Sequence, residues 1–265
     1  LHELSFDHTP FREAALKHLD SASPALRTSA LRALRSCKLQ PEDRALLDKL
    51  AGICTEEEIS GLLWAYRALF NEDFRNANEA PVLPLLERGM AAAQRDRSMD
   101  GIDSRTILGV LWGTQVGPKI EARLIEWSHL DKDDHGDMLV GNSQLGYNAF
   151  YHALSVVENK SRAAVKRLME LAYHPDITNV AGRCLWGMNG SVPDAADREY
   201  LAGEVIKLLG LRSDDYLWTK GLLLLRAGVT AEHIPALREL EKQESLPLKR
   251  REQLQEFIVR LQPKS

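Results

Sequence analysis

The chain has 265 residues, 44% hydrophobic and 27% charged, enough to bury a core in one large domain or two small ones. A net charge of −4 argues against a strongly basic nucleic-acid footprint overall while leaving a local patch open, and no apolar run approaches the roughly 18 residues of a membrane span. The three cysteines, Cys37, Cys54 and Cys184, include no CxxC pair, which argues against a zinc site or a dense disulfide framework.

From residue 10 onward nearly every segment repeats its apolar residues with a period near 3.6, and none alternates with period 2. Helices are expected over 10–20 and 24–37, the second with Leu26, Ala30, Leu34 and Cys37 on one stripe. A second pair follows at 41–53 and 55–70. Thr55 is placed as N-cap ahead of three Glu residues, and Ile59, Leu62, Leu63 and Tyr66 form the core stripe. The stretch 71-NEDFRNANEAP-81 reads as a long, mobile polar connection. Further pairs are expected at 82–96 with 103–116, 118–129 with 143–157, and 160–173 with 177–188. The last two are 195–210 with 214–227, and 230–243 with 246–261. The segment 131-DKDDHGDMLVGN-142 reads as another long connection. Second helices thus begin near 24, 55, 103, 143, 177, 214 and 246, in steps of 31 to 48 residues, the period range of helical solenoids.

The first pair, 12-REAALKHLDSASPALRTSALRAL-34, sets a short helix, a tight polar turn with Pro24, and a second helix carrying Leu26, Ala30, Ala33 and Leu34. It resembles a HEAT or HEAT-like (armadillo-type) repeat. Extended by the pairing and the period, the resemblance implies an all-α fold. It would be a right-handed α-α superhelix of about seven antiparallel helix pairs, in one continuous domain over 1–265. The sequence opens on Leu1 rather than Met, which points to a processed or excised form. A soluble chain is expected, with the cytoplasm the favoured compartment and export left open.

Three motifs invite chemistry. His174-Pro175-Asp176 is the tripeptide of J-domain co-chaperones, and Lys160, Arg162, Lys166 and Arg167 supply a basic helix before it. With Pro175 laid on Pro24, however, Ala181, Cys184 and Leu185 fall on Ala30, Ala33 and Leu34. The tripeptide then reads as the turn inside the fifth pair, with Asp176 as cap. Asp131, Asp133, Gly136 and Met138 fit positions of an EF-hand loop, but Asn142 stands where the bidentate Glu belongs, so no metal site is expected. The third motif is Leu-Trp-small. It places Trp64, Trp112 and Trp186 in second helices, with Tyr151 in the comparable place of the fourth pair. Ser60 and Gly182, four residues before Trp64 and Trp186, are small, whereas Leu108 before Trp112 suggests a more buried ring. Trp127 and Trp218 are expected to be structural.

The basic sets Arg27, Arg32, Arg35, Lys38 and 248-LKRREQ-253 read as solvated helical faces. Cys37 and Cys184 read as small buried hydrophobes. No GxSxG, HExxH or P-loop is present, so no catalytic residue and no cofactor is assigned.

These readings favour a non-catalytic scaffold, adaptor or regulatory module. A protein or peptide partner would bind the concave face through Trp64, Trp112, Tyr151 and Trp186. The alternatives are a HEAT-like DNA-binding protein, by resemblance to the alkylpurine DNA glycosylases, which the acidic balance disfavours, and a J-domain-like co-chaperone.

Overall fold

The computed structural model describes residues 9–95, 104–129, 149–173, 178–212 and 214–262. Among these the chain forms fourteen α-helices, short 3-10 turns and two strands of two residues each. The fold class is all-α, as the 3.6 period requires. The chain gathers into two compact units, Leu1–Arg123 and Leu124–Ser265.

In the first unit α1 is Thr9–Leu19, α2 Pro24–Leu34, α3 Arg44–Ile53, α4 Glu56–Leu69, α5 Glu79–Arg95 and α6 Ser104–Leu108. Helix α1 packs on α2 and α3, α3 on α5, α2 on α4, and α4 on α6. Odd helices therefore stack on odd ones and even on even. Leu31, Leu34, Ile59, Leu62, Leu63 and Tyr66 fill the space between, all fully buried. Each such side chain contributes roughly 1.5–3 kcal/mol on leaving water. Helix α7, Pro118–Trp127, carries the boundary between the units.

The stripe of α2 is rotated from the expected one. Leu26 is half exposed and Ala33 faces solvent, while Arg27, Ala30, Leu31 and Leu34 are buried. Arg27 is therefore not on a solvated face. Its Nε donates to Glu58 Oε1 at 2.6 Å and its Nη2 to Oε2 at 3.1 Å. Glu58 also accepts from the Thr55 N–H at 2.6 Å, closing the N-terminal turn of α4. Burial works against ionising Glu58, but the Arg27 guanidinium and the Thr55 donors outweigh it and hold the carboxyl below its usual range.

The expected mobile connection at 71–81 is ordered. Asp73–Phe74 pairs in parallel with Gln115–Val116, and Phe74 is fully buried. Asn71, Glu72 and Asn76 take positive φ, which lets the chain reverse sharply enough to insert that ring. Helix α5 begins earlier than expected, at Glu79. This residue is buried and its Oε1 accepts from the Ile120 N–H at 2.5 Å, capping α7 from a distance.

In the second unit α8 is Ala149–Val156, α9 Arg162–Tyr173, α10 Thr178–Met188, α11 Ala195–Leu211, α12 Asp215–Gly228, α13 Ile234–Glu241 and α14 Leu248–Leu261. The alternation repeats: α9 packs on α11 and α11 on α13, while α8 packs on α10 and α10 on α12. Helix α10 approaches α8 closely at Gly187, where an added Cβ would fall on the Ser155 carbonyl oxygen and lie 2.7 Å from Ser155 Cβ.

Polar rungs join successive helices of the same layer at nearly constant sequence separation. Arg12 grips Asp43 with two bonds, and Arg27 grips Glu58, each pair 31 residues apart. In the second unit Lys160 reaches Ser191, Tyr173 reaches Glu204 and Thr230 reaches Glu199, each 31 apart. Arg162 with Asp197, Arg250 with Asp215, and Trp218 with Gln253 are 35 apart. Arg250, like Arg27, leaves the expected solvated face. It is buried, bonds Asp215 Oδ1 at 2.5 Å, and lies over the Trp218 ring at 5.0 Å. At Arg27 a buried carboxylate one helix pair away offsets the cost of burying the guanidinium, whereas the Asp215 partner of Arg250 is exposed to water.

Candidate functional site

The four aromatic residues expected to meet a partner all lie on or just after even-numbered helices: Trp64 on α4, Trp112 after α6, Tyr151 on α8 and Trp186 on α10. Trp112 is 48% exposed and Trp186 43%, whereas Trp127 and Trp218 are 4% exposed and belong to the core, as expected of them. Trp64 is half-buried. The Tyr151 side chain is not among those described.

The expectation that Trp112 is more buried than its counterparts is not met. Helix α6 ends at Leu108, a 3-10 turn carries Gly109–Leu111, and Trp112 leaves it with φ −62° and ψ 118°. Gly113 then takes φ +69°, a conformation that suits Gly. Trp112 is therefore not one helical turn above Leu108, and the i−4 argument does not apply to it. Val110 and Leu111, just before it, are fully buried and anchor the turn.

In the first unit the aromatic surface is also cationic. The Arg35 guanidinium lies 4.3 Å from the Trp64 ring centroid and the Arg67 guanidinium 5.0 Å from it. Both are inside the roughly 6 Å over which a cation feels the ring quadrupole. Arg67 also donates to Glu72 Oε1 at 2.7 Å and to the Val110 carbonyl at 3.0 Å. It thereby ties the Trp64 surface to the turn that presents Trp112. Leu31 packs on Gly61, where a Cβ would stand 2.9 Å from its Cβ, so α2 runs close enough to α4 for Arg35 to reach Trp64.

In the second unit the ring of Tyr216, itself 51% exposed, lies on the backbone at Gly182, where a side chain would collide with it. Trp186 is one turn along the same helix. Lys220 Nζ lies 5.3 Å from the Tyr216 centroid. The small residue noticed before Trp186 thus makes room for a second aromatic rather than for a partner. Tyr216 itself was missed, since one tyrosine at the start of a helix carries no signal until Gly182 is seen beneath it.

A cleft of about 350 Å³ between α3 and α5 is lined by Arg44, Asp48, Tyr66, Pro81, Pro84 and Arg88 among others. Its polar groups satisfy one another. The Tyr66 hydroxyl donates to Asp48 Oδ1 at 2.6 Å, and burial followed by that carboxylate drives the phenol far above its usual range. Arg88 donates to the Ala51 and Cys54 carbonyls at the end of α3.

The cysteines are free and buried. Burial pushes the Cys184 thiol up to about 12, with Arg167 and Lys160 pulling weakly the other way, so it is no nucleophile. Among the described residues no group of three or more His, Cys, Asp or Glu can hold a metal ion. The EF-hand-like segment 131–142 and the tripeptide His174–Asp176 lie outside the described residues. The basic helix before the tripeptide is described, however, and is mostly engaged within the fold. Lys160 is buried against Val157, Gly187 and Ser191, Arg162 bonds Asp197, and Arg167 bonds Ser128, leaving Lys166 exposed.

Comparison with protein-family models, curated proteins and solved structures finds no match to this chain. No helix among the described residues is long and apolar enough to cross a membrane.

Proposed function

We propose that this chain is a non-catalytic binding module, a HEAT-like right-handed solenoid of about seven antiparallel helix pairs whose second helices contact a protein or peptide partner. The rungs between residues 31 and 35 apart support the repeat, since a side chain reaching the same place one pair further on is what stacked helix pairs produce. The observation that carries the function is the exposure of Trp112 and Trp186, at 48% and 43%. A large amphipathic ring left in water loses burial that the core would provide, and it is the side chain most often found at the centre of an interface.

The test is capture from the native source with wild type and a Trp112→Ala/Trp186→Ala variant, each shown folded by circular dichroism. A partner retained by wild type and lost by the variant is the expected result. Equal retention by both would overturn the assignment of these rings.

A further inference from the structure

We infer that the surface around Trp64 recognises carboxylates, and that the partner there is an acidic peptide segment. This rests on the binding-module reading and adds the chemistry of the ligand to it. Cations in the first unit are generally spoken for. Arg12 pairs with Asp43, Arg27 with Glu58, Arg44 with Asp48, Lys49 with Asp20, Arg67 with Glu72, Arg75 with Asp73 and Arg123 with Glu87. Arg32, Arg35 and Lys38 depart from this pattern. All three are exposed, spaced three residues apart at the end of α2 and just beyond it, and none has an ion-pair partner among the described residues. Lys17 and Lys119 also have no ion-pair partner among the described residues but stand alone, and Arg88 is held by the Ala51 and Cys54 carbonyls.

Cations at a helix C-terminus favour its dipole, which accounts for some of this placement. It does not account for Arg35 lying over Trp64. A guanidinium over a ring keeps its N–H donors for other partners, and their fork matches the two oxygens of a carboxylate. Arg67, over the same ring, is already committed to Glu72 and the Val110 carbonyl, so it fixes the indole while Arg35 remains available. Arg32 and Lys38 add positive charge on either side in sequence. Together they form a short cationic strip that would dock an anionic partner, inside a chain whose net charge is −4.

A nucleic acid also brings anionic groups, but the geometry disfavours it. Single strands bind by stacking bases on exposed rings, and the Trp64 ring already carries two guanidiniums.

The experiment is a fluorescence-anisotropy titration of the full chain. Its probes are a labelled Asp/Glu-rich peptide, the same peptide with Asn and Gln in place of Asp and Glu, and a labelled single-stranded oligonucleotide. The acidic peptide should bind and the amide peptide should not. Affinity should fall steadily as salt rises from about 0.05 M to about 0.5 M. The triple variant Arg32→Glu/Arg35→Glu/Lys38→Glu alters only exposed side chains. It should keep its circular dichroism and bind the acidic peptide at least about tenfold more weakly. Equal binding of both peptides, no binding of either, or unchanged binding by the triple variant would overturn the inference. So would tighter binding of the oligonucleotide than of the acidic peptide. A partner lost with Trp112 and Trp186 but kept by the triple variant would leave the module standing and remove only this docking strip.

Discussion

A close helix approach in the second unit makes Gly187 a sharp test of the packing. Alanine normally stabilises a helix interior by about 1 kcal/mol relative to glycine. At Gly187 the added Cβ would lie 2.7 Å from Ser155 Cβ and on the Ser155 carbonyl oxygen. Carbon atoms rest at about 3.5–4.0 Å, so α8 and α10 would have to part by about 1 Å. Overpacking of that kind costs about 1–3 kcal/mol. The Gly187 carbonyl also accepts from Lys160 Nζ at 2.7 Å, and loosening that bond adds about 1 kcal/mol. Gly187→Ala should therefore destabilise by about 1–3 kcal/mol despite the better helix former. Gly52→Ala in α3 is the control, because nothing lies within 4 Å of its Cβ. It should stabilise by about 0.5–1 kcal/mol. Urea unfolding measures both, with midpoints moving in opposite directions at unchanged slope. A neutral or stabilising Gly187→Ala would refute the close approach of α8 and α10.

Lys160→Met should lower stability by about 1–3 kcal/mol, since it strips the donor from the Val157 and Gly187 carbonyls and from Ser191 inside the fold; calorimetry reads this as a lower melting temperature. Glu58 has a folded pKa held below its unfolded value, so its contribution is fully present above about pH 4.3 and is lost as pH falls through the depressed folded value. Wild type should accordingly outlast Glu58→Gln in urea at pH 7, the gap closing in acid; a gap independent of pH would contradict the ion pair with Arg27. Thiol labelling at pH 8 should leave Cys184 untouched in the native chain and react in denaturant, because a thiol pushed up to about 12 is neutral there. Rapid native labelling of Cys184 would show that α10 is not packed as described.

The helices were readable because apolar spacing is a local property. Thr55 and its trailing acids marked the start of α4, and the Ile59–Leu62–Leu63–Tyr66 stripe is fully buried. Arg27 was unreadable for the opposite reason. Its burial depends on Glu58, 31 residues away, and no local pattern tells a guanidinium with a distant partner from one in water. Phe74 was hidden in a polar stretch, since it is the positive φ of Asn71, Glu72 and Asn76, together with pairing to Gln115–Val116, that turns the ring inward. The aromatic residues of the candidate site were found by their echo of one another. Arg35, which the inferred chemistry depends on most, looked like ordinary surface charge until Trp64 was seen beneath it.

The near-constant span of the polar rungs also bears on the order in which the chain can fold as it is made. At about 5–20 residues per second, the 31 residues separating Arg27 from Glu58 emerge in roughly 2–6 s. Arg27 is thus orphaned only for the time its next helix pair takes to appear, while Arg250 emerges after its partner Asp215, and no rung waits for the far terminus. A truncation after Ile53 would leave Arg27 permanently without its carboxylate, while one after Leu69 would supply it. Nascent chains stalled at those two points should differ in protease resistance at α2 well before the rest of the protein exists.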